Sequence, residues 1–167
     1  GKKDFLAENA DLLEKWVVYL EKYGLIPANQ LCTDDFAGHL DKNIHLAIKA
    51  TVGIGCYAEI CKALGNETGY KHYREAVEKF AREIENFAAK YKWCPITWNT
   101  DDSTFSLKYN LAFDKILKLG LFDKNFYETE VKSYIPKCNK YGVPLDSRKN
   151  YSKSDWLMWT ASLAYEK

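Results

Sequence analysis

The stretch "NIHLAIKATVGIGCYAEICKAL", residues 43–64, decides the fold. Ile44, Leu46, Ala47, Ile48, Ala50, Val52, Ile54, Tyr57 and Ile60 surround the axis of the helix they predict, so neighbours must enclose it on most sides. Gly53 and Gly55 permit close approach, and Gly65-Asn66 supplies a short turn. The next segment has the opposite character. From about 69 to 91, Tyr73, Val77, Phe80, Ile84, Phe87 and Tyr91 form one stripe on a highly charged helix, which buries one face and gives the other to water. An enclosed helix joined by a tight turn to a half-solvated one is an inner–outer hairpin.

The alternation continues on both sides. Leu6, Leu12, Leu13, Trp16, Val17 and Leu20 place one apolar stripe on a helix from about 4 to 23, which Gly24 ends. A more apolar helix is predicted over about 106–119, with Leu107, Leu111, Phe113, Ile116 and Leu117, stopped by Gly120. A polar helix follows over about 123–140, which Pro136 kinks or shortens. The last helix, in "SDWLMWTASLAYEK", is apolar again, with the Ser152 hydroxyl expected to cap it and Asp155 favouring its first turn. No stretch reads convincingly as a strand. The predicted class is all-α: three antiparallel helical hairpins, a partial α/α toroid of the six-hairpin glycosidase-like kind. The connections at 24–42, 92–105 and 141–153 are long, whereas those at 65–68 and 120–122 are short. Every long loop is therefore expected at one end, each leading into an apolar helix whose free N–H groups favour an anion or oxyanion.

Composition excludes several classes. A chain of 167 residues, 47% of them hydrophobic, fits one domain. Lysine and arginine total 24 against 23 acids, so no net field steers it to nucleic acid or an anionic membrane surface. No unbroken apolar run of about 18 residues predicts membrane insertion. The absence of an initial Met suggests a piece of a larger protein. Five cysteines without CxxC spacing predict neither a zinc site nor a disulfide framework; Cys56 and Cys61 read as small buried hydrophobes. A bridge between Cys32 and Cys94, in separate loops, is left open. No cofactor motif is present, and a GxSxG nucleophile motif is missing.

Three longer motifs, "LIPANQLCTDDFAGHLDKNIHLAIKATVGIGCYAEIC", "KYNLAFDKILKLGLF" and "NKYGVPLDSRKNYSKSDWLMWTASLA", resemble the helical domain of the fungal-type glutaminase A family, which also has bacterial members. The resemblance covers about 25–65 and 93–165. It implies a larger parent with β-rich portions before a helical region related to six-hairpin glycosidase toroids, of which this chain is the later part. It further implies hydrolysis of the glutamine side-chain amide to glutamate and ammonia, without a cofactor, in a secreted or periplasmic protein. The remaining domains of the parent are then its partners. No catalytic assignment comes with the resemblance, so site residues rest on chemistry. Two other readings stay open: a carbohydrate-processing or carbohydrate-binding domain, and a non-catalytic structural domain.

Amide hydrolysis needs an activated nucleophile, a proton donor for departing ammonia, and donors for the oxyanion. Adjacent Asp34 and Asp35 are the leading candidate catalytic carboxylates, with helix or turn capping as the plainer role. His39, four residues past Asp35, would share its face on a helical turn and meet substrate, or serve structure alone. Asp101-Asp102 repeats the doublet, making Asp102 a further catalytic candidate; Ser103 and Ser106 are the competing caps. Trp98 is a candidate stacking platform or a packing residue. Asn110, four before Asp114, invites a polar network with Lys108 or Lys115 and is a candidate substrate contact. In the third loop Arg148 could fork onto a substrate carboxylate or pair with Asp146, and Asp146 and Asp155 complete the candidate binding set. A metal held by Asp35, His39 and Asp41 is disfavoured by spacing.

Overall fold

The computed structural model describes residues 2–31 and 38–164. Helices α1 (Lys2–Glu8) and α2 (Ala10–Tyr23) replace the single first helix of the sequence reading. The break is at Asn9, whose Nδ2 donates to the Phe5 carbonyl at 2.8 Å and so engages a carbonyl of the preceding turn. Gly24 ends α2 as expected, and for a second reason: a Cβ there would lie 2.6 Å from the Ala50 Cβ of the next helix. Beyond it, β1 (Gln30–Leu31) and β2 (His39–Leu40) form a small antiparallel pair that periodicity did not predict.

Helix α3 (Ile44–Leu64) is the enclosed rod the sequence requires, burying Ile44, Ile48, Val52, Ile54, Ala58 and Cys61. The Asn43 side chain caps it by accepting from Leu46 N at 2.9 Å, and Gly65 closes it with φ of 80°. Asn66 then caps α4 (Glu67–Ala88), which buries Tyr73, Val77, Phe80, Ala81, Ile84 and Ala88 along one face. These two helices pack along their length and anchor the main core. By length and mean hydropathy α3 would pass as a membrane span, contrary to the run-length expectation; 61% of that window is buried inside the protein, as in a core helix.

The second half departs further from the predicted rods. Helix α5 (Leu111–Leu117) is shorter than expected because residues 106 and 107 leave the helical path to pair with another loop. Helix α6 (Lys124–Tyr134) ends in a 3-10 turn (Ile135–Lys137) at Pro136, the predicted shortening. Helix α7 (Ser154–Ala161) starts without a side-chain cap; the Ser152 hydroxyl donates instead to the Val143 carbonyl at 3.1 Å. Nor are α5 and α7 enclosed like α3. Ile116 and Leu117 are exposed on α5, and Met158 is 67% exposed on α7. Among the described helices, α3 alone has neighbours over most of its sides; Trp16 on α2, 58% exposed, shows the same lack of cover at the other end of the chain.

Candidate functional site

The three long loops meet, and they meet through backbone. Trp98 N donates to Lys42 O and Ile44 N to Ile96 O, both at 3.1 Å, pairing the first loop with the second around Asn43 and Thr97. Leu107 N donates to Leu145 O at 2.8 Å and Ser147 N to Phe105 O at 3.0 Å, pairing the second with the third around Ser106 and Asp146. The Trp98 indole N–H adds a side-chain tie to Leu25 O at 2.8 Å. Loops leading into neighbouring helices thus form one continuous rim, the arrangement expected from alternating long and short connections.

The candidate residues occupy that rim unequally. Asp34 and Asp35 lie outside the described residues, as does Cys32; Cys94 is a buried free thiol. His39 sits exposed on strand β2, opposite Leu31, and not on a helical turn. In the second doublet the members divide. Asp101 closes a turn, its Oδ1 accepting from Ser103 N at 2.9 Å, and these hydrogen bonds hold its carboxyl below the usual range. Asp102 is half-buried, with Oδ2 only 3.4 Å from the Lys92 amide. Ser103 and Ser106 cap no helix.

Trp98 is turned onto the scaffold, its ring 4.8 Å from that of Phe87. Asn110 faces inward, with Nδ2 2.9 Å from His45 Nε2, and not toward Asp114, Lys108 or Lys115. Asp114 instead accepts from the amides of Leu121 and Phe122 and from the Tyr127 hydroxyl, fixing the turn after α5. Asp146 is buried and grips Arg148 twice, with Nε–Oδ1 at 3.0 Å and Nη2–Oδ2 at 2.6 Å, while the Arg148 amide donates to the same carboxylate. The intraloop pair is therefore formed, and it fixes the guanidinium on the rim. Asp155 is exposed in the first turn of α7. Among the described residues no three His, Cys, Asp or Glu converge on a point that could hold a metal ion.

Beneath the rim lies a buried polar layer in which Lys108 has partners other than those the sequence reading offered it. Lys108 is completely enclosed, its ammonium donating to the carbonyls of Cys94, Pro95 and Ser106 and to the Ser106 hydroxyl at 2.9–3.3 Å. The Cys94 peptide joins it to a counter-charge, because Cys94 N donates to Glu130 Oε1 at 2.6 Å. Tyr134 donates to the other Glu130 oxygen at 2.8 Å and accepts from Lys108 N at 3.1 Å. Burial raises the Glu130 carboxyl, with the Lys108 charge opposing; burial likewise pushes the Cys94 thiol up to about 12. A lysine between Leu107 and Tyr109, and a histidine between Ile44 and Leu46, were the available signals: charged or titratable groups at apolar positions need partners.

Residues 1–167 match the family described as "Glutaminase A six helical-hairpin domain". A glutaminase A of Aspergillus oryzae (strain ATCC 42149 / RIB 40) is 32% identical over 167 residues, covering 98% of this chain and 24% of the relative. A probable glutaminase of Arthroderma benhamiae (strain ATCC MYA-4681 / CBS 112371) is 29% identical over 189 residues, covering 92% of this chain and 21% of the relative. The chain thus spans less than a quarter of the length of either curated relative. With its all-α architecture and a match running its whole length, the chain belongs to the glutaminase A six helical-hairpin domain family.

Proposed function

We propose that this chain is the helical domain of an amidohydrolase that, as a full-length protein, converts the glutamine side-chain amide to glutamate and ammonia. The names of the relatives support the substrate, and the observation that carries the site is the rim: three loops paired by backbone hydrogen bonds beside helix starts. In the reaction, water adds to the amide carbon, the C–N bond breaks, and the departing nitrogen takes a proton to leave as ammonia. Asp102, less committed than Asp101, is the described carboxylate suited to orient that water, with Asp34 or Asp35 as its counterpart. Arg148, aimed by Asp146, suits the substrate carboxylate; His39 and Asp155 are exposed at the margins. The carbohydrate reading gains no support from Trp98, whose ring and N–H are engaged within the domain.

The test is ammonia release from glutamine by the full-length protein. Asp102→Asn should lower kcat by about 100-fold with an unchanged circular dichroism spectrum, the size of a lost general base. Unchanged kcat would remove Asp102 from the mechanism. A wild-type protein that releases no ammonia from glutamine but hydrolyses oligosaccharides would overturn the reaction itself.

A further inference from the structure

His45 is the second residue of α3, completely buried, and it stands where three elements meet. Its Nε2 contacts Asn110 Nδ2 at 2.9 Å, and its ring lies 4.3 Å from that of Tyr109. Tyr109 in turn stacks on Trp156 of α7, with centroids 4.5 Å apart and planes 15° from parallel. One imidazole therefore backs the end of the second loop and, through it, the start of α7.

The ring has room for only one of its two charge states. Its Nδ1 has no hydrogen-bond partner among the described residues. A neutral imidazole has one N–H and one lone pair, so the Asn110 amide can satisfy Nε2 in either orientation. An imidazolium has two N–H donors, and the one at Nδ1 would face no acceptor. The surrounding charges are also of the wrong sign. Lys108, just past the second loop, and Lys49 along α3 both oppose a proton there, and Lys153 lies 4.0 Å over the Trp156 ring. The buried carboxylates of α5 and α6 are committed elsewhere: Glu130 of α6 to the Cys94 amide and Tyr134, and Asp114 of α5 to the turn at 121–122 and Tyr127.

We propose that His45 is a positioning residue for the rim: its neutral imidazole holds Asn110 and the Tyr109–Trp156 stack in place, and taking up a proton releases them together. Burial first, and then the two lysines, hold its pKa well below the ordinary 6.5. The unfolded or loosened chain then binds the proton more readily than the closed one. The closed arrangement is at full strength above about pH 6.5 and weakens as pH falls below it. This device stands apart from the reaction proposed above, because it is read from the structure and not from turnover.

The test is hydrogen–deuterium exchange followed by mass spectrometry on the full-length protein, comparing wild type with His45→Gln, whose amide can still reach Asn110 but cannot take a proton. Between about pH 7 and about pH 5, after correction for intrinsic rates, wild-type peptides over 105–113 and 153–161 should lose about tenfold in protection. A peptide from the middle of α4 should not change, and His45→Gln should hold 105–113 and 153–161 steady. Equal wild-type protection at both pH values, or an equal loss in His45→Gln, overturns the proposal. Should His45→Gln fail to fold, exchange of the wild-type His45 Cε1 proton reports its ionisation directly. Protonation and loosening must then share a midpoint; a protonated His45 beneath a still-protected rim is the contrary result.

Discussion

The α3–α4 hairpin and the half of the molecule from residue 89 to 153 are held together by different means. The hairpin is an apolar construction: Ile48, Ile54, Val77, Phe80 and Ile84 fill its interface, and its ends are fixed by Asn43, Gly65 and Asn66. The loop half carries shorter helices and relies on groups that cost free energy to bury. Lys108, Glu130, Tyr134 and Asp114 each spend their hydrogen bonds on backbone, on one another, or on the hydroxyls of Ser106 and Tyr127. Apolar packing makes a rod wherever the side chains recur correctly, whereas irregular backbone buried beneath a rim needs specific donors and acceptors.

The contrast is sharpest where a polar pair is broken. Lys108→Met should destabilise by about 3–5 kcal/mol, because the buried carbonyls of Cys94, Pro95 and Ser106 lose their donor and Glu130 loses the compensating charge, and urea unfolding measures the loss. Adding Glu130→Gln should return part of it. Labelling of the buried Cys94 thiol should follow the same unfolding transition, since the Cys94 peptide sits between the two charges. In the hairpin, Ile54→Ala should cost about 3 kcal/mol as a cavity in a closed core, with no recovery from any change at Glu130. If Lys108→Met proved milder than Ile54→Ala, both halves would be governed by apolar packing and the distinction would fall. The smallest effect is expected at the rim: Arg148→Ala should cost about 1–2 kcal/mol in the same assay, since its guanidinium is partly solvated, while the buried Asp146 carboxylate loses that partner but keeps the backbone amide at position 148.

The same contrast explains what could be read in advance. Residues 43–64 and 67–88 were legible because periodicity, caps and the intervening glycine all agree. The gathering of the long loops was legible from their lengths. Helix α5 was not: Leu107 has the right spacing for a helix, but its amide is taken by Leu145, 38 residues away in the chain. The Ser152 cap failed for a similar reason, its hydroxyl going to Val143. Asp146 and Arg148 were readable as a pair because they are two residues apart; Lys108 and Glu130 were not, being joined through the Cys94 peptide and the Tyr134 hydroxyl. Local hydrogen bonding leaves a trace in sequence, and long-range polar pairing leaves only an out-of-place residue type.

The seams between the loops are sewn with main-chain amides and carbonyls at Lys42, Ile44, Ile96, Trp98, Phe105, Leu107, Leu145 and Ser147. Such stitches are blind to side-chain identity, except that proline removes an amide donor. Exposed positions between them, such as Asn99 and Lys149, can therefore be exchanged without shifting the frame that presents them. The border of this domain is built to keep its outline while its chemical lettering is rewritten, which makes it a tractable place to graft new recognition.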